Sequence, residues 1–316
     1  MKGRVSMHKV VARLAGGFGN QCFLYATGRG LALKYGARLV LLDMYKPGDL
    51  RQFALGDFNC QYERKVRNGR IARRIAAWFH AKRLAKAKAE HSCCVGNHYF
   101  DLRDVEMVLP EQLDGDIHLD WFFQSEKFFK DYADQIAADF TLKDDSWLER
   151  DAMATKIRAT ENAVFCHVRS YNDAVPDGSM SMPVEFFKNA AVALKEKIGG
   201  GTVFLFSDNL EWARERLEKS FAANGFELVP VREDKSLLPP EKYTSGFLRD
   251  FTLMRLCRHA IVPNSTFSWW AAWLMEHGRV AQGENSIVIR PGMGGKVKRE
   301  EGPDFWPERW LAVLPC

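Results

Sequence analysis

From Ala163 onward, short apolar runs alternate with longer amphipathic stretches. This alternation limits the folds open to the chain more than any other feature. Ala163 to Val168, Thr202 to Phe206, Phe226 to Val231, Ala260 to Val262 and Ile287 to Ile289 read as strands. Between them, Pro183 to Ile198, Leu210 to about Ala222 and Phe247 to His259 read as helices. Strand, helix, strand in series specifies a parallel sheet covered on both faces, the doubly wound arrangement. The N-terminal region begins a second series. Val10 to Leu14 reads as a strand, Gly16-Gly17-Phe18-Gly19-Asn20-Gln21 as a glycine-rich turn, Cys22 to Tyr35 as a helix, and Ala37 to Leu42 as a parallel strand. Gly36 stands just past that helix, where a C-terminal glycine belongs.

A chain of 316 residues suggests about two domains. The boundary is expected near 155, giving domains 1–155 and 156–316. Hydrophobic content of 47% and charged content of 27% are ordinary for a globular protein. No apolar run reaches the roughly 18 residues of a membrane span, and Met1 to Ser6 lacks the apolar core of a signal peptide. The seven cysteines show no paired spacing and no CxxC. They read as reduced, mostly buried thiols in a cytoplasmic protein.

In the βαβ series, polar residues gather just past the strand ends. His167 closes the first strand, with Arg169 and Ser170 beyond it. Ser207, Asp208 and Asn209 follow the second. Asn264-Ser265-Thr266-Phe267-Ser268-Trp269-Trp270 follows Ala260 to Val262 and Pro263, and opens a helix-like run. In an open parallel sheet this carboxyl edge is where ligands bind. Ser and Thr at the helix start can cap it with their hydroxyls. The N–H groups of its first turn can instead face an anion, phosphate above all. Arg169 offers a planar fork of donors to the same anion, and Asp208 can accept from a ribose hydroxyl or a base amine. A nucleoside diphosphate would use all three. Plain capping, two core tryptophans and an Arg169 paired to a structural acid are the alternative.

The N-terminal glycine turn does not match a nucleotide motif. The third position of G-x-G-x-x-G is Cys22, and no Lys-Ser/Thr follows for a Walker loop. The turn either brings backbone, Asn20 and Gln21 to a ligand or is a tight turn only. Trp121 to Phe129 is an aromatic cluster suited to a sugar ring or to the core. Asp114-Gly115-Asp116 is the chain's one DxD, and its central glycine before a strand reads as a turn, not a metal site. Between Glu63 and Glu90 there is no acid, and Arg and Lys are dense. Ile71, Ile75, Trp78 and Phe79 recur at helical spacing, so a basic amphipathic helical insert is expected near 63–90. It reads first as a solvated face packed through its aromatics, and second as a contact with an anionic membrane surface or an acidic acceptor. No nucleic-acid-binding module accompanies it.

Four stretches in order carry a resemblance. Leu14 to Ala26 is similar to GG-L/F-GNQ-x-F-x-Y-A, Gln124 to Phe129 to QSEKYF, Phe206 to Trp212 to FSDDIEW, and Asn264 to Trp273 to NSTFSWWGAW. Together they resemble the bacterial α1,2-fucosyltransferase family of glycosyltransferases. That family carries H-x-R-R-G-D where this chain reads His167-Val168-Arg169-Ser170-Tyr171-Asn172-Asp173, so Ser170 stands in place of the second Arg. The resemblance implies an α/β, GT-B-like fold with two Rossmann-like domains facing a cleft. It implies an inverting, metal-independent transfer of L-fucose from GDP-L-fucose to a galactose-type hydroxyl, forming an α1,2 linkage in O-antigen or capsule synthesis. A related GDP-deoxysugar such as GDP-colitose is the alternative donor, and an inactive glycan-binding member the alternative role. Expected donor-binding residues are His167, Arg169, Ser207, Asp208, Asn264, Ser265, Thr266, Phe267 and Ser268. Arg169 and Asn20 are the expected catalytic residues, and Phe18, Gln21, Trp121 and Glu126 the acceptor-side candidates. Asp120, Glu126 and Asp173 are candidate bases. No cofactor is expected beyond the donor. The acceptor would be an oligosaccharide or lipid-linked glycan, and the location cytoplasmic, with peripheral contact at the inner membrane face as a second expectation.

Overall fold

The structure is a computed structural model. It describes residues 8–67, isolated positions between 69 and 82, and residues 111–113, 115–119, 122–170, 182–234, 236–237, 247–292 and 304–314. The chain divides into two compact units. The first comprises 1–143 and 301–307, the second 144–300 and 308–316.

The first unit is built on a four-stranded sheet, β1 (Lys9–Arg13), β2 (Arg38–Asp43), β3 (Glu63–Val66) and β4 (Ile117–Leu119), in the order β3-β2-β1-β4. All its pairings are parallel. Helix α1 (Phe18–Tyr35) connects β1 to β2. It starts four residues earlier than its apolar periodicity suggests, because the glycine turn itself winds into its first turn. At its end Gly36 takes φ 60°, and its N–H reaches the carbonyls of Ala32 and Leu33. The short helix α2 (Ala133–Asp139) supplies Asp139, a buried carboxylate. Asp139 accepts from Tyr25 Oη at 2.6 Å and Arg29 Nε at 2.9 Å. Residues 63–66, expected as the start of a basic helix, form the edge strand β3 instead. Their alternating side chains pair along β2, with Val40 opposite Glu63 and Asp43 opposite Val66.

The second unit carries a six-stranded, all-parallel sheet. Its strands are β5 (Ala163–Val168), β6 (Gly201–Ser207), β7 (Phe226–Pro230), β8 (His259–Ile261), β9 (Val288–Pro291) and β10 (Leu311–Val313), ordered β10-β9-β8-β5-β6-β7. Every residue of β5 is buried, as expected of a central strand with neighbours on both sides. Helices α4 (Val184–Ile198) and α5 (Leu210–Ala223) follow β5 and β6, and α6 (Phe247–Leu256) and α7 (Thr266–Ala281) flank β8. Trp269, Trp270 and Trp273 of α7 are all buried. Helix α3 (Ala152–Arg158) lies before β5.

The boundary between units falls at 143/144, earlier than the expected 155, and residues 301–307 return to the first unit. Both shifts have named anchors. Asp151 caps α3 by accepting from Met153 N–H at 2.8 Å, and it receives Arg249 of α6 through two bonds of 2.8 and 3.0 Å. That buried ion pair ties 144–158 to the second unit. Phe305 lies 6.3 Å from Phe23 and Asp304 pairs with Lys127, which ties the late segment to the first. The described cysteines Cys22, Cys60, Cys166 and Cys257 are free thiols and buried. Among the described residues, no helix is long and apolar enough to cross a membrane.

Candidate functional site

In the second sheet the chain runs from β5 outward through β6 and β7, then returns to place β8 on the other side of β5. The strand order therefore reverses between β5 and β8. Crevices at such a switch point open at the carboxyl ends of the strands. The polar residues singled out from the sequence stand there. His167 is the penultimate residue of β5 and Arg169 follows it, Asp208 follows β6, and Asn264 and Ser265 lead from β8 into α7.

Their contacts differ from simple capping. Ser265 is the N-cap of α7, yet its side chain makes no capping hydrogen bond. Ser268 Oγ donates to the Ser265 carbonyl at 3.3 Å and also leaves the first-turn N–H groups alone. The expected hydroxyl caps are therefore not made. Ser265 thus gives no side-chain acceptor to the positive end of this sixteen-residue helix. His167 sits beside it, 6% exposed, with its ring centroid 5.6 Å from that of Phe267. Its Nδ1 is buried and has no hydrogen-bond partner among the described residues. Burial, and after it the neighbouring Arg169, pushes its pKa down to about 4. The imidazole is thus neutral at physiological pH.

Asp208 organises the rest. Its Oδ2 accepts from Arg169 Nη1 at 2.7 Å, and its Oδ1 from the Ser170 N–H at 2.7 Å. One carboxylate thus fixes both the Arg169 head and the backbone after it. Asp208 was expected to meet a ribose or base; here it holds the arginine. Ser207 Oγ accepts from Asn209 N–H at 3.0 Å, which shapes the turn into α5, while the Asn209 side chain makes no cap. Asp250 of α6 was not singled out from the sequence. Phe247 and Phe251, on its own helix, both lie against Phe267 at 6.2 and 5.5 Å. Burial raises its carboxyl pKa to about 6. A lone acid inside an amphipathic helix gives no sequence signal of this kind.

The first sheet has its own switch point, between β1 and β4. Asn20, in the first turn of α1, accepts from Gln124 Nε2 at 2.8 Å, just beyond β4. Gln124 follows Phe123, whose φ of 50° is the one positive value at a non-glycine position among the described residues. Tyr45 Oη donates to the Gly16 carbonyl at 2.8 Å. Gly16 has φ 71°, and a Cβ there would stand 2.3 Å from the Asn20 amide nitrogen. The glycine is therefore required for Asn20 to occupy its position.

Two acceptor-side candidates are corrected by these contacts. Gln21 is fully buried; its Nε2 donates to the Gln52 carbonyl at 2.8 Å, and its Oε1 accepts from Ala54 N–H at 3.0 Å. Both ends of its amide are spent on backbone. Phe18 is 7% exposed and stacks on Phe58 at 5.5 Å, so it belongs to the core. Glu126 opens the short 3-10 turn Glu126–Phe128 and is half-buried. Trp121, Asp114, Asp120 and Asp173 lie outside the described residues. Among the described residues, no three of His, Cys, Asp and Glu gather as a metal site.

The family profile of "Glycosyl transferase family 11" matches residues 116–284, which span Gln124, the whole of the second crevice and both of its flanking helices. The chain belongs to glycosyl transferase family 11. This glycosyltransferase is 26% identical to an Escherichia coli alpha-1,2-colitosyltransferase over 97% of its own length and 99% of that protein's. It is 27% identical to the E. coli O-antigen biosynthesis glycosyltransferase WbnK, over 93% and 98%. Among solved structures it is similar to Arabidopsis thaliana FUT1 in complex with GDP, with a TM-score of 0.52, 12% identity, and coverage of 93% of this chain and 72% of that one. That likeness shows the fold, which is GT-B-like.

Proposed function

We propose that this glycosyltransferase moves L-fucose from GDP-L-fucose to a galactose-type hydroxyl, inverting the anomeric centre to give an α1,2 linkage in a surface polysaccharide. What supports this reading is that Arg169 and the start of α7, which Ser265 leaves uncapped, follow the neighbouring strands β5 and β8 at the switch point of the second sheet. Both carry N–H donors at the same carboxyl edge of the sheet, as a diphosphate requires. As the sugar–oxygen bond breaks, charge gathers on the β-phosphate of GDP. Donors already aimed at it stabilise that charge without reorganisation. Arg169 and the α7 terminus do the work that a divalent cation does in other sugar-nucleotide enzymes. Neutral His167 supplies a buried hydrogen-bonding nitrogen without adding a competing charge. On the first sheet, Asn20 and Gln124 form an amide pair suited to sugar hydroxyls, which positions the acceptor for in-line attack.

A second donor is favoured by one observation. The colitosyltransferase relative matches nearly the full length of the chain, and Ser170 replaces an arginine. GDP-colitose is therefore the alternative, and the name of the WbnK relative supports an O-antigen acceptor. The test is a thermal-shift screen of GDP-, UDP- and dTDP-sugars, followed by GDP release with oligosaccharide acceptors. A donor at 100 times its dissociation constant stabilises by about 2.7 kcal/mol. Stabilisation by GDP-sugars alone, with acceptor-dependent GDP release that persists in EDTA, is expected. Stabilisation by UDP-sugars, or release that needs magnesium, overturns the reading. Binding without release indicates an inactive glycan-binding member.

A further inference from the structure

The proposed function gives no role to the stretch beyond edge strand β3. The described positions 71, 74, 75, 78 and 82 are helical and exposed. Their spacing places all five along one stripe of the helix. Ile71 is 74% exposed, Ile75 51% and Trp78 58%. Of the aromatics expected to pack the basic segment onto its domain, Trp78 is exposed and Phe79 lies outside the described residues. Large apolar groups aligned on one exposed face mark a contact surface.

The surrounding charge says what covers it. Arg67, Arg74 and Lys82 are exposed, and the Lys82 ammonium lies 5.3 Å from the Trp78 ring centroid. No acid occurs in the sequence between Glu63 and Glu90. A second copy would set like charges against each other across a two-fold axis. A nucleic-acid backbone would match the cations and leave two isoleucines without a role. An anionic lipid surface satisfies both parts. Isoleucine and tryptophan enter the boundary between headgroups and acyl chains, while Lys and Arg stems reach back to lipid phosphates.

We propose that the stripe formed by Ile71, Arg74, Ile75, Trp78 and Lys82, with Arg67 beside it, docks this glycosyltransferase laterally on an anionic lipid bilayer. The contact lies in the plane of the surface and spans nothing. Its electrostatic part is screened over about 8 Å at physiological salt, so it reverses at high ionic strength.

The test is flotation of the full chain with vesicles of neutral phosphatidylcholine, and with vesicles also containing phosphatidylglycerol. Binding to the anionic vesicles, release by high salt, and at least a tenfold loss of binding in Ile71→Ser/Ile75→Ser/Trp78→Ser are expected. Arg67→Glu/Arg74→Glu/Lys82→Glu is expected to lose as much. These side chains are exposed, so melting temperature and GDP-sugar binding are expected to stay at wild-type values. Brominated lipid is expected to quench part of the tryptophan fluorescence, and the single change Trp78→Phe to remove that part. No flotation, equal flotation with neutral vesicles, or quenching unchanged in Trp78→Phe overturns the proposal. So does a dimer seen by light scattering that the apolar triple variant dissolves, since that assigns the stripe to a second copy.

Discussion

The two sheets end in two crevices of the same topological kind, and the protein finishes them differently. In the first, the polar groups satisfy one another: Asn20 with Gln124, Tyr45 with Gly16. All are neutral, and a strained Phe123 backbone and an obligatory Gly16 hold them in place. In the second, a carboxylate clamps a cation, a helix start is left without a side-chain cap, and a buried histidine nitrogen has no partner among the described residues. The first crevice is a hydrogen-bonding surface complete without ligand. The second holds a charged pair, and its proposed complement is an anion. Under the proposed function, one topology would serve a neutral sugar and a charged nucleotide.

Removing the cation tests this contrast most strongly. Arg169→Ala is expected to lower turnover with GDP-fucose roughly 10- to 100-fold, since a charge-assisted bond contributes about 1.5–3 kcal/mol. The loss is expected to fall more on kcat than on donor affinity, because the phosphate gains charge in the transition state. Arg169→Lys recovers only part, lacking the planar fork. Gln124→Ala, its counterpart in the first crevice, breaks a neutral bond and is expected to cost about tenfold or less, read as a higher acceptor KM. Comparable losses in kcat from both variants would erase the distinction between the crevices.

Asp208→Asn is expected to come next. Asparagine keeps the shape but removes the charge that fixes the Arg169 head, so kcat falls about tenfold, and circular dichroism remains that of the native protein. Wild-type kinetics in this variant would mean that Arg169 finds its position without Asp208.

Gly16→Ala sharpens the other side. The left-handed backbone and the collision with Asn20 are expected to cost about 1–3 kcal/mol in thermal unfolding. They are also expected to raise acceptor KM without changing donor binding. An unchanged melting temperature would show that the turn can relax.

The smallest effect is a pH slope. The Asp250 carboxyl is raised from 3.8 to about 6 by burial. The folded state therefore favours its protonated form. The stability it contributes is full below pH 3.8, is lost as pH rises to about 6, and stays lost above. His167 acts in the opposite sense. Its pKa is lowered from 6.5 to about 4, so stability is lost as pH falls through that window. The two nearly cancel between pH 4 and 6. Asp250→Asn is expected to raise the melting temperature at pH 7 and to expose the His167 slope below pH 6. Parallel profiles for wild type and variant would show that Asp250 does not titrate there.

Much of the second unit was legible in the sequence because its central strands β5 and β8 are fully buried runs bounded by polar clusters. Ala163 to Val168 is both the plainest apolar run and the central strand. Arg169 and Asn264 could be placed beyond strand ends, and His167 at the end of β5, because that position is a sequence property. What those side chains do with each other was not legible. That Asp208 holds Arg169, and that Ser265 declines to cap, depend on rotamers fixed by neighbours distant in sequence. The same limit explains Gln21, whose amide looked available beside three glycines and is consumed by the backbone of 52–54. β3 was missed because Glu63-Arg64-Lys65-Val66 is an exposed edge with too little apolar content to announce a strand.

The late segment 301–314 has a consequence for how the protein is made. The chain passes from the first unit to the second after residue 143, back after 300, and across again after 307. Phe305 then fills a place beside Phe23. Trp310 packs on Trp269 and donates to Glu276, and β10 completes the second sheet along β9. Neither unit can close while the chain is still being synthesised through residue 300. Each waits for the same short stretch, which must be shared between them in order. A nascent chain paused before Phe305 would carry two open cores at once, so loss of these last few residues would harm both units together and could not be confined to either.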